Sequence, residues 1–155
     1  MTESNALKSW RTLSGTAFGR WLFSRLVCFR APYFASIRPL FDVLEPGRAV
    51  ARIRKRRAVT NHIGTVHAIA MANLCELVAG TVTEVSLPRS MRWIPRSMKI
   101  DYLAKAETDL TAEATLPPIP AGAAQDIAVP VTVTDRLGKA VVRAEITMYL
   151  SPATA

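Results

Sequence analysis

Asn61-His62-Ile63-Gly64-Thr65-Val66-His67-Ala68-Ile69-Ala70-Met71-Ala72-Asn73-Leu74-Cys75-Glu76-Leu77-Val78-Ala79-Gly80-Thr81-Val82 is the stretch whose reading decides the fold. From Val66 onward it is apolar on nearly every side, which suits a helix enclosed by other structure rather than one lying on a surface. A carboxamide and an imidazole, Asn61 and His67, stand ahead of that helix, and one carboxylate, Glu76, stands in its middle. Burying a carboxylate without partners or a purpose is costly. Glu76 therefore marks a candidate site as well as a core.

The 155 residues suit a single domain with room for a real core. Half of them are hydrophobic and 21% are charged, a globular balance rather than a disordered one. The Glu76 helix comes nearest to a membrane span, but it carries His67, Asn73 and Glu76 and is rich in alanine, so it reads as a core helix. Cys28 and Cys75 are far apart and fit no metal or redox spacing. As buried free thiols they imply a cytoplasmic protein. With two histidines and no cysteine or carboxylate cluster beside them, no metal site is expected.

The net charge of +8 is unevenly placed. One basic run holds Arg48, Arg52, Arg54, Lys55, Arg56 and Arg57; another holds Arg89, Arg92, Arg96 and Lys99. Such a face attracts phosphates, of a nucleotide, a nucleic acid or a lipid, or it simply solvates two strands. No aromatic-interleaved recognition motif accompanies these runs, which places nucleic acid last among the partners.

Residues 1–31 form an N-terminal segment, in which Leu22, Leu26 and Phe29 follow helical spacing among many cations. One or two amphipathic helices are predicted, packing that stripe on the domain, with a membrane surface as the alternative partner. The main domain takes 32–155. Pro32 and Pro39 bracket a connection, Glu45-Pro46-Gly47 makes a turn, and 49–55 reads as a first strand. The helix follows and ends near Gly80. Strands are then expected at 84–94, 97–106, 109–115, 127–134 and 139–150, the last two joined by a hairpin at Asp135-Arg136-Leu137-Gly138. Leu116-Pro117-Pro118-Ile119-Pro120 is too poor in donors for a central strand. One long helix wrapped by a largely antiparallel sheet is an α+β architecture.

Asn61, Gly64, Thr65 and His67, with an acid nine residues beyond the histidine, resemble the hotdog-fold acyl-CoA thioesterases, particularly the phenylacetate-pathway type. Met98-Lys99-Ile100-Asp101-Tyr102-Leu103-Ala104-Lys105-Ala106 is similar to a strand of that family, and the resemblance covers about 32–150. It implies a hotdog fold, an antiparallel sheet around one central helix, here with an extra N-terminal helix. It also implies a dimer or tetramer that hydrolyses an acyl thioester, with coenzyme A as part of the substrate and no other cofactor. Glu76 would serve as general base or nucleophile across the dimer interface, and the Ala68 backbone N–H would face the developing oxyanion. Asn61 would orient the water or the carbonyl, and His67 would hold the loop or the substrate. Gly64, Thr65 and Asn73 are taken as substrate-binding, with Asn73 on the face of Glu76 and partnering it. Arg89, Arg92 and Arg96, or the Arg54 to Arg57 cluster, would meet coenzyme A phosphates.

Two departures stand out. Ala68 and Ile69 occupy the place of two glycines, and Pro95 stands where some members carry a hydroxyl residue, so the chain resembles an uncharacterised hotdog branch. The same residues also have structural readings. Glu76 could bond amides or an arginine, His67 could cap the helix, and Asn61 could brace its loop by Asx-type bonding. A non-catalytic hotdog module that binds acyl-CoA or lipid, or serves as a dimeric scaffold, is accordingly the rival function.

Overall fold

The computed structural model describes residues 3–153, so the outermost ends of the predicted segments 1–31 and 32–155 lie outside the described residues. Two helices come first, α1 over Asn5–Leu13 and α2 over Ala17–Arg30. The hydroxyls of Ser4 and Thr16 start them by accepting from the Leu7 and Gly19 amides. Strands β1, Leu40–Glu45, and β2, Arg48–Ile53, form a hairpin around the predicted Pro46-Gly47 turn, where Gly47 takes a φ of +88°.

The central helix α3 runs over Ala68–Ser86, followed by β3 at Met91–Tyr102, β4 at Leu110–Thr115, β5 at Gln125–Thr134 and β6 at Ala140–Pro152. All pairings are antiparallel, in the order β1-β2-β4-β5-β6-β3. Leu74, Cys75, Leu77, Val78 and Val82 of α3 are fully enclosed, meeting Ala49, Ala51, Ala112, Ala114, Val131 and Val133 from the sheet. The small side chains of β2 and β4 let the helix lie close. This is the hotdog architecture, a sheet curled around one long helix. Among the described helices only α3 is long and apolar enough to cross a membrane, and its enclosure makes it the core helix instead.

Four expectations change. β1 is an additional strand. Its Phe41 and Leu44 are buried, and Asp42 is tied to Arg52 of β2. α3 does not end near Gly80 but continues to Ser86. A Cβ on Gly80 would stand 2.8 Å from the Trp93 ring, so this glycine makes room for an indole instead of stopping the helix. The expected strands at 84–94 and 97–106 are one strand, β3. A register shift between Pro95 and Ser97 absorbs the proline, which an edge strand tolerates. Finally, the Leu26 and Phe29 stripe of α2 points outward. The face that packs carries Gly19, Phe23, Ser24 and Cys28.

The N-terminal helices share the main core. Trp10, Phe23 and Phe41 meet edge to face, with centroids 5.1 Å, 5.5 Å and 6.4 Å apart. Ser24 Oγ donates to the Arg20 carbonyl and accepts from the Phe41 amide at 3.0 Å, fastening α2 to β1.

Candidate functional site

The loop between β2 and α3 is held by its own polar groups. Asn61 Oδ1 accepts from the Ile63 and Thr65 amides, and its Nδ2 donates to Thr65 Oγ1 at 2.8 Å. Gly64, at φ +79°, closes the turn, its amide donating to the Asn61 carbonyl at 3.1 Å. Asn61, Gly64 and Thr65 thus build a rigid platform for the start of α3. His67 caps that start, its Nδ1 accepting from the Ile69 amide at 3.0 Å. The cap consumes the Ile69 donor and leaves the Ala68 amide without an acceptor among the described residues. Tyr102, at the end of β3, lays its hydroxyl on the Ala68 carbonyl at 3.2 Å. Burial, and then Cys75, raise the Tyr102 pKa, so the hydroxyl remains a donor.

Glu76 is half-buried, not enclosed as the sequence suggests, because it stands on the one stripe of α3 that the sheet leaves uncovered. Ile69, Asn73, Glu76, Gly80 and Glu84 share that stripe at helical spacing. Glu76 faces a cleft of 840 Å³ between α1, α2, α3 and the start of β3. The cleft's walls are largely apolar, with Phe23, Val27, Leu77, Met91 and Trp93 among them and Arg30 and Arg89 as its cations. Trp93 is fixed there by its Nε1, which donates to Glu84 Oε2 at 2.8 Å. Glu76 has no ion pair or hydrogen bond among the described residues.

Asn73 does not partner Glu76. It is 5% exposed, and its Nδ2 donates to Ser36 Oγ at 3.1 Å while Oδ1 is buried without a partner. It lines a second, smaller pocket of 170 Å³ with Tyr33, Ser36, Thr60, His67 and Ile69. The two basic runs also differ. Arg89 reaches Asn5, Arg92 reaches Ser151, and Arg96 pairs with Asp126 at 2.6 Å while lying over the Tyr149 ring. In the other run Arg56 donates to the Ser36 carbonyl at 2.5 Å, and burial together with Arg38 lowers its pKa. Arg38, Arg54 and Arg57 are exposed and have no ion pair among the described residues.

Beside the site, β3 is an open edge, paired only with β6. Met98 and Tyr102 are exposed although their cross-strand neighbours Ile146 and Val142 are buried, and Ile69 and Ile94 are exposed as well. A twelve-residue edge that exposes apolar side chains of this kind among its charges offers unpaired backbone groups to another strand.

Sequence reasoning brought out Glu76, Asn61, His67 and Ala68 and missed Trp93, Glu84, Ser36 and Arg38. Gly80 was the available signal for Trp93, since a glycine inside a strong helix invites a close approach. Ser36 and Arg38 carried none, lying in a short connection whose place against α3 only the fold sets.

The chain matches the model of a domain of unknown function, DUF4442, over residues 19–150. It is similar to the crystal structure of a genomics target, APC5556, at 46% identity and a TM-score of 0.84, covering 96% of this chain and 98% of that one. It is also similar to a protein of unknown function from Pseudomonas aeruginosa described as a probable thioesterase, at 21% identity and a TM-score of 0.75, covering 84% and 93% of the two chains. A thioesterase family protein from Silicibacter pomeroyi matches at 20% identity and a TM-score of 0.70, covering 84% and 96%. No curated protein matches. At such identities the last two likenesses carry the fold.

Proposed function

The chain belongs to the DUF4442 family, and from its site we propose that it is a thioester hydrolase of the hotdog kind, acting on acyl-CoA as a homodimer. The observation that carries this reading is Glu76, a carboxylate without a partner among the described residues on the wall of an apolar cleft of 840 Å³. A carboxylate so placed serves as a base toward water beside an apolar acyl chain.

Geometry within one chain supports a shared site. Ala68 and Glu76 are separated by about 12 Å along the helix axis, more than a glutamate side chain spans. One copy therefore cannot bring both to the same thioester carbonyl. A two-fold that joins the open β3 edges and sets the α3 helices antiparallel brings Glu76 of the partner subunit toward Ala68. In the proposed reaction Glu76 takes a proton from water as its oxygen bonds to the carbonyl carbon, and the oxyanion accepts from the Ala68 amide. The C–S bond then breaks, and the thiolate leaves with the proton that Glu76 returns. The apolar cleft holds the acyl chain. Arg38, Arg54 and Arg57 are better placed for phosphates than Arg56, Arg89, Arg92 and Arg96, whose side chains are engaged elsewhere in the fold. No cofactor beyond the coenzyme A of the substrate is required. Two buried free thiols favour a cytoplasmic location.

Two variants test the shared site. Glu76→Gln removes the base, and Ala68→Pro removes only an amide, because proline is well tolerated at the first position of a helix. Each should lower hydrolysis of an acyl-CoA panel by about 10²-fold or more with an unchanged melting temperature. Mixing the two should restore activity that neither has alone, since a mixed dimer keeps one intact site. Full activity of Glu76→Gln would refute the assignment.

The second reading, a non-catalytic acyl-CoA binder, is favoured by Ile69, which stands exposed at the helix start where it narrows access to the Ala68 amide. Tight acyl-CoA binding with no turnover across the panel would select it.

A further inference from the structure

The outward stripe of α2 is largely uncovered by the described residues. Phe18, Leu22 and Phe29 stand at positions i, i+4 and i+11 with Trp21 and Leu26 on either side, while Arg25 between them folds back to donate to the Pro39 carbonyl at 2.6 Å. Phe18 is 68% exposed, Phe29 is 85% exposed, and Tyr33 just beyond the helix is 69% exposed. Phe18 and Trp21 stack on each other with centroids 5.6 Å apart, so the aromatic groups form one surface instead of scattered contacts. The opposite face of the same helix, with Phe23 and Cys28, is already buried in the core. A helix packed on one side ordinarily turns polar residues to the other. This one does not.

Charge decides what covers it. Residues 4–41 contain Lys8, Arg11, Arg20, Arg25, Arg30 and Arg38 and no aspartate or glutamate. Glu3 pairs with Arg11, which leaves five cations without an acid in the segment. A second copy docking through the same face would bring this cationic segment against itself with no carboxylate from residues 4–41 to offset the repulsion. An anionic bilayer offers both complements at once, negative headgroups for the arginines and an interfacial layer in which aromatic rings settle. We propose that the outward face of α2, carried by Phe18, Trp21, Leu26, Phe29 and Tyr33, docks this protein on anionic membrane surfaces. Leu26 and Arg30 also line the 840 Å³ cleft, so docking sets the mouth of that cleft toward the bilayer. The inference is independent of the thioesterase reading.

Full-length protein is mixed with vesicles of phosphatidylglycerol and phosphatidylcholine, or of phosphatidylcholine alone, and the bound fraction is read by sedimentation. Binding to the anionic vesicles is expected, at least ten-fold tighter than to neutral ones and weakened by added salt. The double variant Phe18→Ser/Phe29→Ser should lose at least ten-fold of that binding, while its melting temperature matches the parent. Brominated lipid should quench Trp21 emission, and the Trp21→Phe variant should lose that quenching. Absence of binding to anionic vesicles at low salt would overturn the proposal, as would equal binding by the double variant. A double variant that falls apart into smaller assemblies without lipid would also overturn it, assigning the stripe to contacts between copies.

Discussion

Helices α2 and α3 both present apolar residues on more than one side, yet they meet opposite fates. α3 is wrapped by β1, β2, β4 and β5 until only the stripe of Ile69, Glu76 and Glu84 is left open. α2 lies outside the curl of the sheet and buries Phe23 and Cys28 while Phe18 and Phe29 stay uncovered. Apolar content on two faces therefore says that a helix wants two partners, and only topology says whether the chain supplies the second one. In α3 the uncovered remainder is narrow and holds two carboxylates, Glu76 and Glu84. In α2 it is broad and aromatic.

The sharpest way to break this contrast is to truncate one residue on each helix. Leu74→Ala, at a fully enclosed position, should cost about 2–5 kcal/mol in denaturant unfolding. Phe29→Ala removes a larger side chain and should change stability by about 0.5 kcal/mol or less. Comparable losses at the two positions would mean that the face of α2 is covered in the free protein.

The buried thiols sharpen the contrast next. Burial pushes the Cys75 thiol of α3 from 9.0 up to about 12, whereas burial raises that of Cys28 in α2 against an opposing pull from Arg25. The folded protein holds the Cys75 proton more tightly than the unfolded chain. Its contribution is therefore whole below pH 9.0 and drains away as pH rises toward about 12. Stability should fall across that window, and Cys75→Ala should flatten the fall. Iodoacetamide should label Cys28 before Cys75 in the native protein.

A smaller effect is expected at Gly80. Alanine there gains about 1 kcal/mol of helix propensity but drives a methyl group into the Trp93 ring, which is held by Glu84. Overpacking of this kind costs about 1–3 kcal/mol, so a net loss near 1 kcal/mol should appear in the melting curve. A shift in Trp93 emission should accompany it. An unchanged spectrum would show that the indole is not seated on the helix.

Much of this contrast was legible in the residues themselves. The apolar run from Val66 was enough to locate a wrapped helix, and Asn61, His67 and Glu76 to mark a candidate site on it. The hairpin at Asp135–Gly138 was equally plain, with Asp135 Oδ1 accepting from Leu137 and Lys139 as an aspartate before a glycine turn does. What escaped depends on distant neighbours. Gly80 looks like a helix stop until Trp93 is known to lie over it, and Asn73 looks like a companion of Glu76 until Ser36 is found opposite. Leu26 and Phe29 have the spacing of a packing stripe, but Phe23 and Cys28 are the residues that the core receives. Periodicity finds a face and leaves open which way it turns.

The triad of Trp10, Phe23 and Phe41 has a consequence for the order in which the chain is made. Synthesis releases Trp10 and Phe23 before Phe41, and well before the strands that curl around α3. For that interval α2 is exposed on both its faces, a condition in which helices find unintended partners. Once β1 arrives one face closes, and the other keeps in the finished protein the exposure that the whole helix had at birth.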